Sequence, residues 1–172
     1  MTNHKSKLRW FIILMVIQIV VLLGWTGSSM AVERYGTMLT LAAKTSYVNA
    51  DNRQIYLEYE INAIPEALWK GAAPVSAGQR VPVYVLLQRE GTLFKAVGLY
   101  PTKPQAQAKQ VVLEGRMIYT ENSLLHVQYG IESCTIPSSD AQALSGYQGA
   151  LHIQLTIAPW GQMKISSITK QQ

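Results

Sequence analysis

The sequence predicts a mainly β protein: a single antiparallel β-sandwich or barrel-like domain of about eight strands, preceded by one N-terminal transmembrane helix. Three observations lead there. An uncharged apolar run fills residues 10–27, period-two alternation of apolar and polar residues recurs from residue 37 onward, and Gly-, Pro- and Ser-rich stretches separate the alternating segments. A chain of 172 residues, 48% apolar and 15% charged, holds one domain with a real core plus an appendage.

The first element is "KLRWFIILMVIQIVVLLGWTG". Its eighteen residues 10–27 carry no charge, and Gln18 is the one amide. At about 1.5 Å rise per residue they span about 27 Å, close to a bilayer's hydrocarbon thickness. Trp10 and Trp25 stand near the two ends as membrane-interface anchors, because indole rings favour the headgroup level. Lys5, Lys7 and Arg9 precede the run, and Glu33 is the first acid after it. The positive-inside rule therefore makes residues 1–9 a cytoplasmic basic tail and exports everything beyond the anchor. A cleaved signal peptide is the alternative, cut after Ala31 with Ser29 and Ala31 as its small residues. Residues 28–36 read as a juxtamembrane linker, and residues 37–172 as the extracytoplasmic β-domain.

Strands follow in order. "TMLTLAA" (37–43) is the first. In "IYLEYEI" (55–61), Ile55, Leu57, Tyr59 and Ile61 share one face while Tyr56, Glu58 and Glu60 share the other, which is a half-buried strand. "VYVLLQ" (83–88) is apolar on both faces and reads as central. "QREGTL" joins it to 93–99 as a hairpin with Gly91 in the turn. Strands are predicted at 111–118, at "LLHVQY" with Leu125, Val127 and Tyr129 inward, at "LHIQLTI" with His152, Gln154 and Thr156 outward, and at 163–168. Loops are expected at 62–81, 101–110 and 137–149, the last holding one helical turn capped by Ser138 or Ser139.

Charge and cysteine usage exclude whole classes. The net charge is +5, yet from Ala31 onward twelve basic residues face ten acidic ones, so the domain carries only +2. No basic cluster with interleaved aromatics occurs there, which argues against a nucleic-acid partner. The single cysteine, Cys134, makes no internal disulfide, so the core alone must hold the fold.

Candidate chemistry is sparse. "HVQYGIESCTIP" (126–137) brings a histidine near the cysteine, but it reads as the turn between two strands. Tyr129 ends an inward row, Gly130 permits a bend, Ile131 resumes burial, and Glu132 and Ser133 are placed to bond the turn's amides. Cys134 reads as packed and inert. His126 and His152 lie outward on separate strands, and without His-x-His or Cys-x-x-Cys spacing neither a metal nor a cofactor is predicted. Glu58 and Glu60 read as a solvated strand face. One enzymatic alternative starts at the membrane boundary, where Ser29 in "SSM" and Lys95 in "LFKAVGLYP" are similar to the Ser–Lys pair of type I signal peptidases, whose buried lysine activates a serine. Ala31 and Val32 stand where that family has proline and threonine, and its Gly-Asp-Asn-Arg segment is missing. A small-ligand β-barrel is the other alternative, and it requires an interior cavity of about 300 Å³ or more.

Over most of residues 10–168 the chain resembles the GDYXXLXY family, small membrane-anchored bacterial proteins. The resemblance runs through "GTMLTLAAK", "NRQIYLEYEI", "VYVLL", "AVGLYP", "VVLEGRM" and "LHVQYGIES", and Leu57, Tyr59, Tyr129, Gly130, Ile131, Glu132, Ser133 and Pro137 occupy its motif positions. Asn52-Arg53-Gln54 replaces the family's Gly-Asp-Tyr, Cys134 and Thr135 replace an aromatic pair, and "SSD" replaces its acidic-glycine turn. The resemblance implies a bacterial cytoplasmic (inner) membrane protein with its domain periplasmic or extracellular. It also implies a multi-pass membrane protein as partner, besides the bilayer held through residues 10–27. The expected role is a non-enzymatic binding or accessory module.

Overall fold

The computed structural model describes residues 10–22, 32, 34–49, 51–72, 80–147 and 149–171. The described chain from residue 37 forms two antiparallel five-stranded sheets. The strands are β1 (Thr37–Asn49), β2 (Gln54–Tyr59), β3 (Ala63–Pro65), β4 (Val81–Glu90), β5 (Leu93–Tyr100), β6 (Gln110–Glu121), β7 (Leu124–Gln128), β8 (Ser133–Thr135), β9 (Ala150–Ile157) and β10 (Met163–Lys170). One sheet has the order β10-β9-β1-β2-β8 and the other β3-β7-β6-β4-β5.

The alternation in the sequence decides what each strand buries. Leu39, Leu41 and Ala43 of β1, Ile55 and Leu57 of β2, and Leu151, Ile153 and Leu155 of β9 point into one core. Val83, Val85 and Leu87 of β4, Leu113 of β6, and Leu125 and Val127 of β7 meet them there from the second sheet. Each such Val, Leu or Ile side chain contributes roughly 1.5–3 kcal/mol when fully buried. The two layers hold together by this shared core.

The structure corrects several details. Ten strands are described rather than about eight, because three-residue strands β3 and β8 lie where the sequence shows only loop and turn. The first strand runs on to Asn49, six residues past its apolar segment, through a bulge between Thr45 and Tyr47. The second stops at Tyr59 instead of Ile61, where a 3-10 turn, Glu60–Asn62, lifts the chain from one sheet to the other. The helix Ser138–Leu144, α2, begins after Pro137 with no side-chain capping bond, so neither Ser138 nor Ser139 caps it. Thr156 is buried instead of outward, and it shares a hydrogen bond with Ser166. What covers Thr156 is the segment entering β1: Val32 is buried, Gly36 donates its N–H to Val32 O, and a Cβ at Gly36 would collide with the Thr156 methyl. This part of the expected linker is therefore folded onto the domain.

Helix α1 covers residues 10–22 of the apolar run; residues 23–27, with Trp25, lie outside the described residues. Its apolar side chains from Trp10 to Leu22 are all half or more exposed. At about 1.5 Å per residue the described helix measures about 20 Å, against about 30 Å of hydrocarbon. Among the described residues, no helix is long and apolar enough to cross a membrane. Helix α2 joins β8 to β9 and buries Ala141 and Leu144.

Candidate functional site

The motif residues singled out in the sequence converge where the chain changes sheets. Two crossings lie side by side: residues 60–62 leave β2 for β3, and residues 129–132 leave β7 for β8. Each is clamped by a tyrosine at the start of the other. Tyr129 donates its hydroxyl to Ile61 O at 2.6 Å, and Tyr59 donates its hydroxyl to Ile131 O at 3.0 Å. Glu132 closes the tight turn: Oε1 accepts the Tyr129 amide and Oε2 the Gly130 amide at 2.8 Å. Gly130 has φ +80°, a left-handed conformation that strains any residue with a Cβ. Leu57 donates its N–H to Glu132 O at 2.7 Å, which ties β2 to the same turn.

Asn62 completes the arrangement and was not singled out in the sequence. Its Oδ1 accepts the Tyr59 amide at 2.6 Å, and its Nδ2 donates to Val127 O at 2.8 Å and to Glu132 Oε1 at 3.3 Å. Its signal was an Asn three residues past a strand-ending Tyr, a spacing at which short amides bond local backbone. Drawing the strand through Ile61 hid it. Burial, followed by the charges of Cys134 and Glu132, raises the Tyr59 phenol far above its ordinary value, and burial followed by Glu132 does the same for Tyr129. Neutral, donating phenols in this position are clamps. They are not acids.

Above the crossings is a shallow groove of about 320 Å³, whose walls include Tyr56, Glu58, Tyr119, His126 and Glu132. Tyr119 stacks on His126 with ring centroids 4.2 Å apart, so His126 is half-buried under a ring rather than solvated. His152 is also half-buried, and its Nε2 is enclosed with no hydrogen-bond partner among the described residues. Glu60 and Glu58 are both exposed.

The larger opening lies one step further along the chain. A cleft of about 480 Å³ is lined by Cys134 to Pro137, by Asp140, Ala143 and Leu144 of α2, and by Ile165 to Ile168 and Lys170 of β10. Its two strand walls, β8 and β10, are the opposite edges of a single curled sheet, and α2 stands between them. Lys170 ties the far end of α2, donating from Nζ to Ala143 O at 3.0 Å and lying 4.8 Å from the Tyr147 ring centroid. The floor is apolar through Ile136, Leu144, Ile165 and Ile168, and the rim carries Thr135, Asp140, Ser166 and Ser167. Such a mixed, concave lining suits a bound ligand or peptide. Burial pushes the Cys134 thiol up, the direction that disfavours a nucleophilic thiolate.

Most of the remaining candidates lie away from both openings. Lys95 projects into solvent from β5, with its side chain 55% exposed, and pairs with Glu90 at 3.1 Å. A Ser–Lys mechanism needs a dry amine at that position. Ser29, its supposed partner, lies outside the described residues, as does Ala31. Trp10 is 70% exposed. Among the described residues no three His, Cys, Asp or Glu side chains gather to hold a metal ion. Ile131 is buried in the crossing, while Ser133 opens β8 and Pro137 precedes α2 on the cleft wall.

The fold and its openings define a mainly β, two-sheet protein with a cleft between the edges of one sheet. Comparison with known proteins adds no relative: no protein-family model, no curated protein and no solved structure matches the chain.

Proposed function

We propose that this protein is a membrane-anchored binding or accessory module, non-enzymatic, whose extracytoplasmic β-sandwich offers the β8–α2–β10 cleft to another membrane or envelope protein. One observation carries the reading: α1 is apolar at every position except Gln18 and exposes those side chains, while the β-domain buries its own core without it. An exposed apolar surface of that kind requires a nonaqueous neighbour. Continued through residues 23–27, the run reaches bilayer length. The basic residues Lys5, Lys7 and Arg9 orient it with the N-terminus inside the bacterial cytoplasmic membrane. Resemblance to the GDYXXLXY family supports the same reading and suggests a multi-pass membrane protein as the partner.

The cleft suits binding better than catalysis. Its thiol is held up by burial, and its lysine is committed to a helix carbonyl and a tyrosine ring. A photo-crosslinking residue at Ala143, in the intact chain in native membranes, tests both halves of the proposal. The chain is expected in the membrane fraction after alkaline carbonate, with a discrete crosslinked protein. Recovery of the uncut chain in the soluble fraction would overturn the anchor. Peptide hydrolysis by purified chain, lost in Ser29→Ala and Lys95→Ala, would overturn the binding role in favour of the Ser–Lys alternative.

A further inference from the structure

Large apolar side chains exposed on the β-domain fall into two groups. Tyr47, Tyr56 and Tyr119 belong to the end where β1 turns into β2 and to the groove beside it. The others, Tyr35 at 64%, Met38 at 71% and Trp160 at 55% exposure, gather at the opposite end. There Thr37 pairs with Ile157, so Tyr35 and Met38 flank the start of β1 while Trp160 caps the turn from β9 to β10. Arg34 lies over the Tyr35 ring at 6.0 Å, and Arg89 lines the same depression as Met38. The nearby carboxylate Glu90 is already paired with Lys95. The patch therefore combines an indole, a phenol and a thioether with the guanidinium groups of Arg34 and Arg89, beside the carboxylate of Glu114.

The chain enters the domain at this same end. Val32 is buried there and accepts the Gly36 N–H, so the path is fixed from residue 32 onward. With the anchor read through residue 27, five residue steps remain to residue 32, a reach of about 18 Å at most. The far end lies a further thirteen-residue strand away, about 43 Å at about 3.3 Å per residue. The linker therefore keeps the near end close to the surface that α1 enters, whichever way the far end points.

We infer that this end of the domain docks on the membrane surface, with Trp160, Tyr35 and Met38 at headgroup level and Arg34 and Arg89 against lipid phosphate. The occupant is the bilayer itself, because amphipathic rings with neighbouring cations are the side chains that membrane interfaces favour. The inference rests on the reading of α1 as a membrane anchor. Docking would hold the domain in one orientation and point the Tyr47–Tyr56 end away from the bilayer.

The test uses the full chain reconstituted into vesicles of phosphatidylcholine and phosphatidylglycerol carrying bromine near the headgroup or deep in the acyl chains. In a Trp25→Phe background, chains that also carry Trp10→Phe or Trp160→Phe are compared; Trp10 and Trp160 are exposed, so neither change disturbs the core. The expected result is headgroup quenching that persists in Trp25→Phe/Trp10→Phe, where Trp160 carries it, alongside lipid quenching in Trp25→Phe/Trp160→Phe, where Trp10 carries it. Quenching of Trp10 with Trp160 emission untouched by either lipid would overturn the docked end and leave the anchor standing. Emission of both residues untouched would overturn the anchor, and the docking with it.

Discussion

Residues 129–137 pass through two opposite environments within nine positions. At the crossing, the Tyr129 and Gly130 amides end on one carboxylate, and two tyrosine hydroxyls end on the carbonyls of the neighbouring crossing. In the cleft, Cys134 to Pro137 face about 480 Å³ of open space between the two edges of one sheet. The first region determines which strands join which sheet, and its polar groups face one another rather than a ligand. The second has a ladder neighbour on one side only, with β8 paired to β2 and β10 to β9. Fully satisfied polar networks rigidify a fold, whereas open edges and clefts are where partners attach. The contrast separates hardware from binding surface within a single short segment.

The largest break in that contrast is Glu132→Ala. It leaves the Tyr129 and Gly130 amides and the Asn62 Nδ2 without their shared acceptor. Losing an ionised acceptor of several amides costs on the order of 3 kcal/mol. Thermal unfolding should begin about 10 °C lower, by the usual conversion for a domain of this size. An unchanged midpoint would mean that Glu132 is no keystone.

Next comes alkaline pH. Both phenols are held above their ordinary value of about 10 in the folded protein. Above that pH the unfolded chain has released protons that the folded chain retains, so stability is complete below about pH 10 and falls as pH rises. Each tyrosine adds a slope of about 1.4 kcal/mol per pH unit. Denaturant midpoints measured from pH 9 to 11 should show the decline, and Tyr59→Phe with Tyr129→Phe should flatten it. At neutral pH each single Tyr→Phe change removes one hydroxyl and should cost about 1–2 kcal/mol. A double variant that is simply additive would show that the two clamps act independently.

The strands were legible because their apolar positions alternate: Ile55, Leu57 and Tyr59, or Leu151, Ile153 and Leu155, have no other way to bury one face. The turn at Gly130 was legible for a similar reason, since glycine between a buried Tyr and a buried Ile announces a bend. The reciprocal clamps were not. They join residues about seventy apart in sequence, and a hydroxyl-to-carbonyl bond leaves no periodic mark. The strands β3 and β8 escaped notice because three residues are too few to alternate. The cleft was hidden for a third reason: it arises from the curl of one sheet, which places Ile165 opposite Ile136 without any local signature in either segment.

On the open side, substitutions should separate binding from folding. Ala143 is exposed on α2 at the cleft, so Ala143→Arg fills the opening without touching the core. Stability should change by no more than about 0.5 kcal/mol, as for most surface positions. Crosslinking to a partner from a second cleft position, Ser167, should nevertheless be lost. Retained crosslinking would place the partner elsewhere on the domain.

The smallest effect is expected at Cys134, on the boundary between the two environments. It pairs with Ile55 on β2, contributes to the cleft wall, and is half-buried. Because burial raises its thiol, the reactive thiolate is scarcer in the folded chain than in the unfolded one at neutral pH. Alkylation by iodoacetamide at pH 7 should therefore run slower in native protein than in urea, and should slow further in Ala143→Arg, where the new side chain shields the cleft. Cys134→Ala should cost about 1 kcal/mol or less, the loss of one small packed group. Labelling as fast as in urea would show that the cleft wall opens freely, and the boundary between sealed and open regions would then have to be moved back toward Glu132.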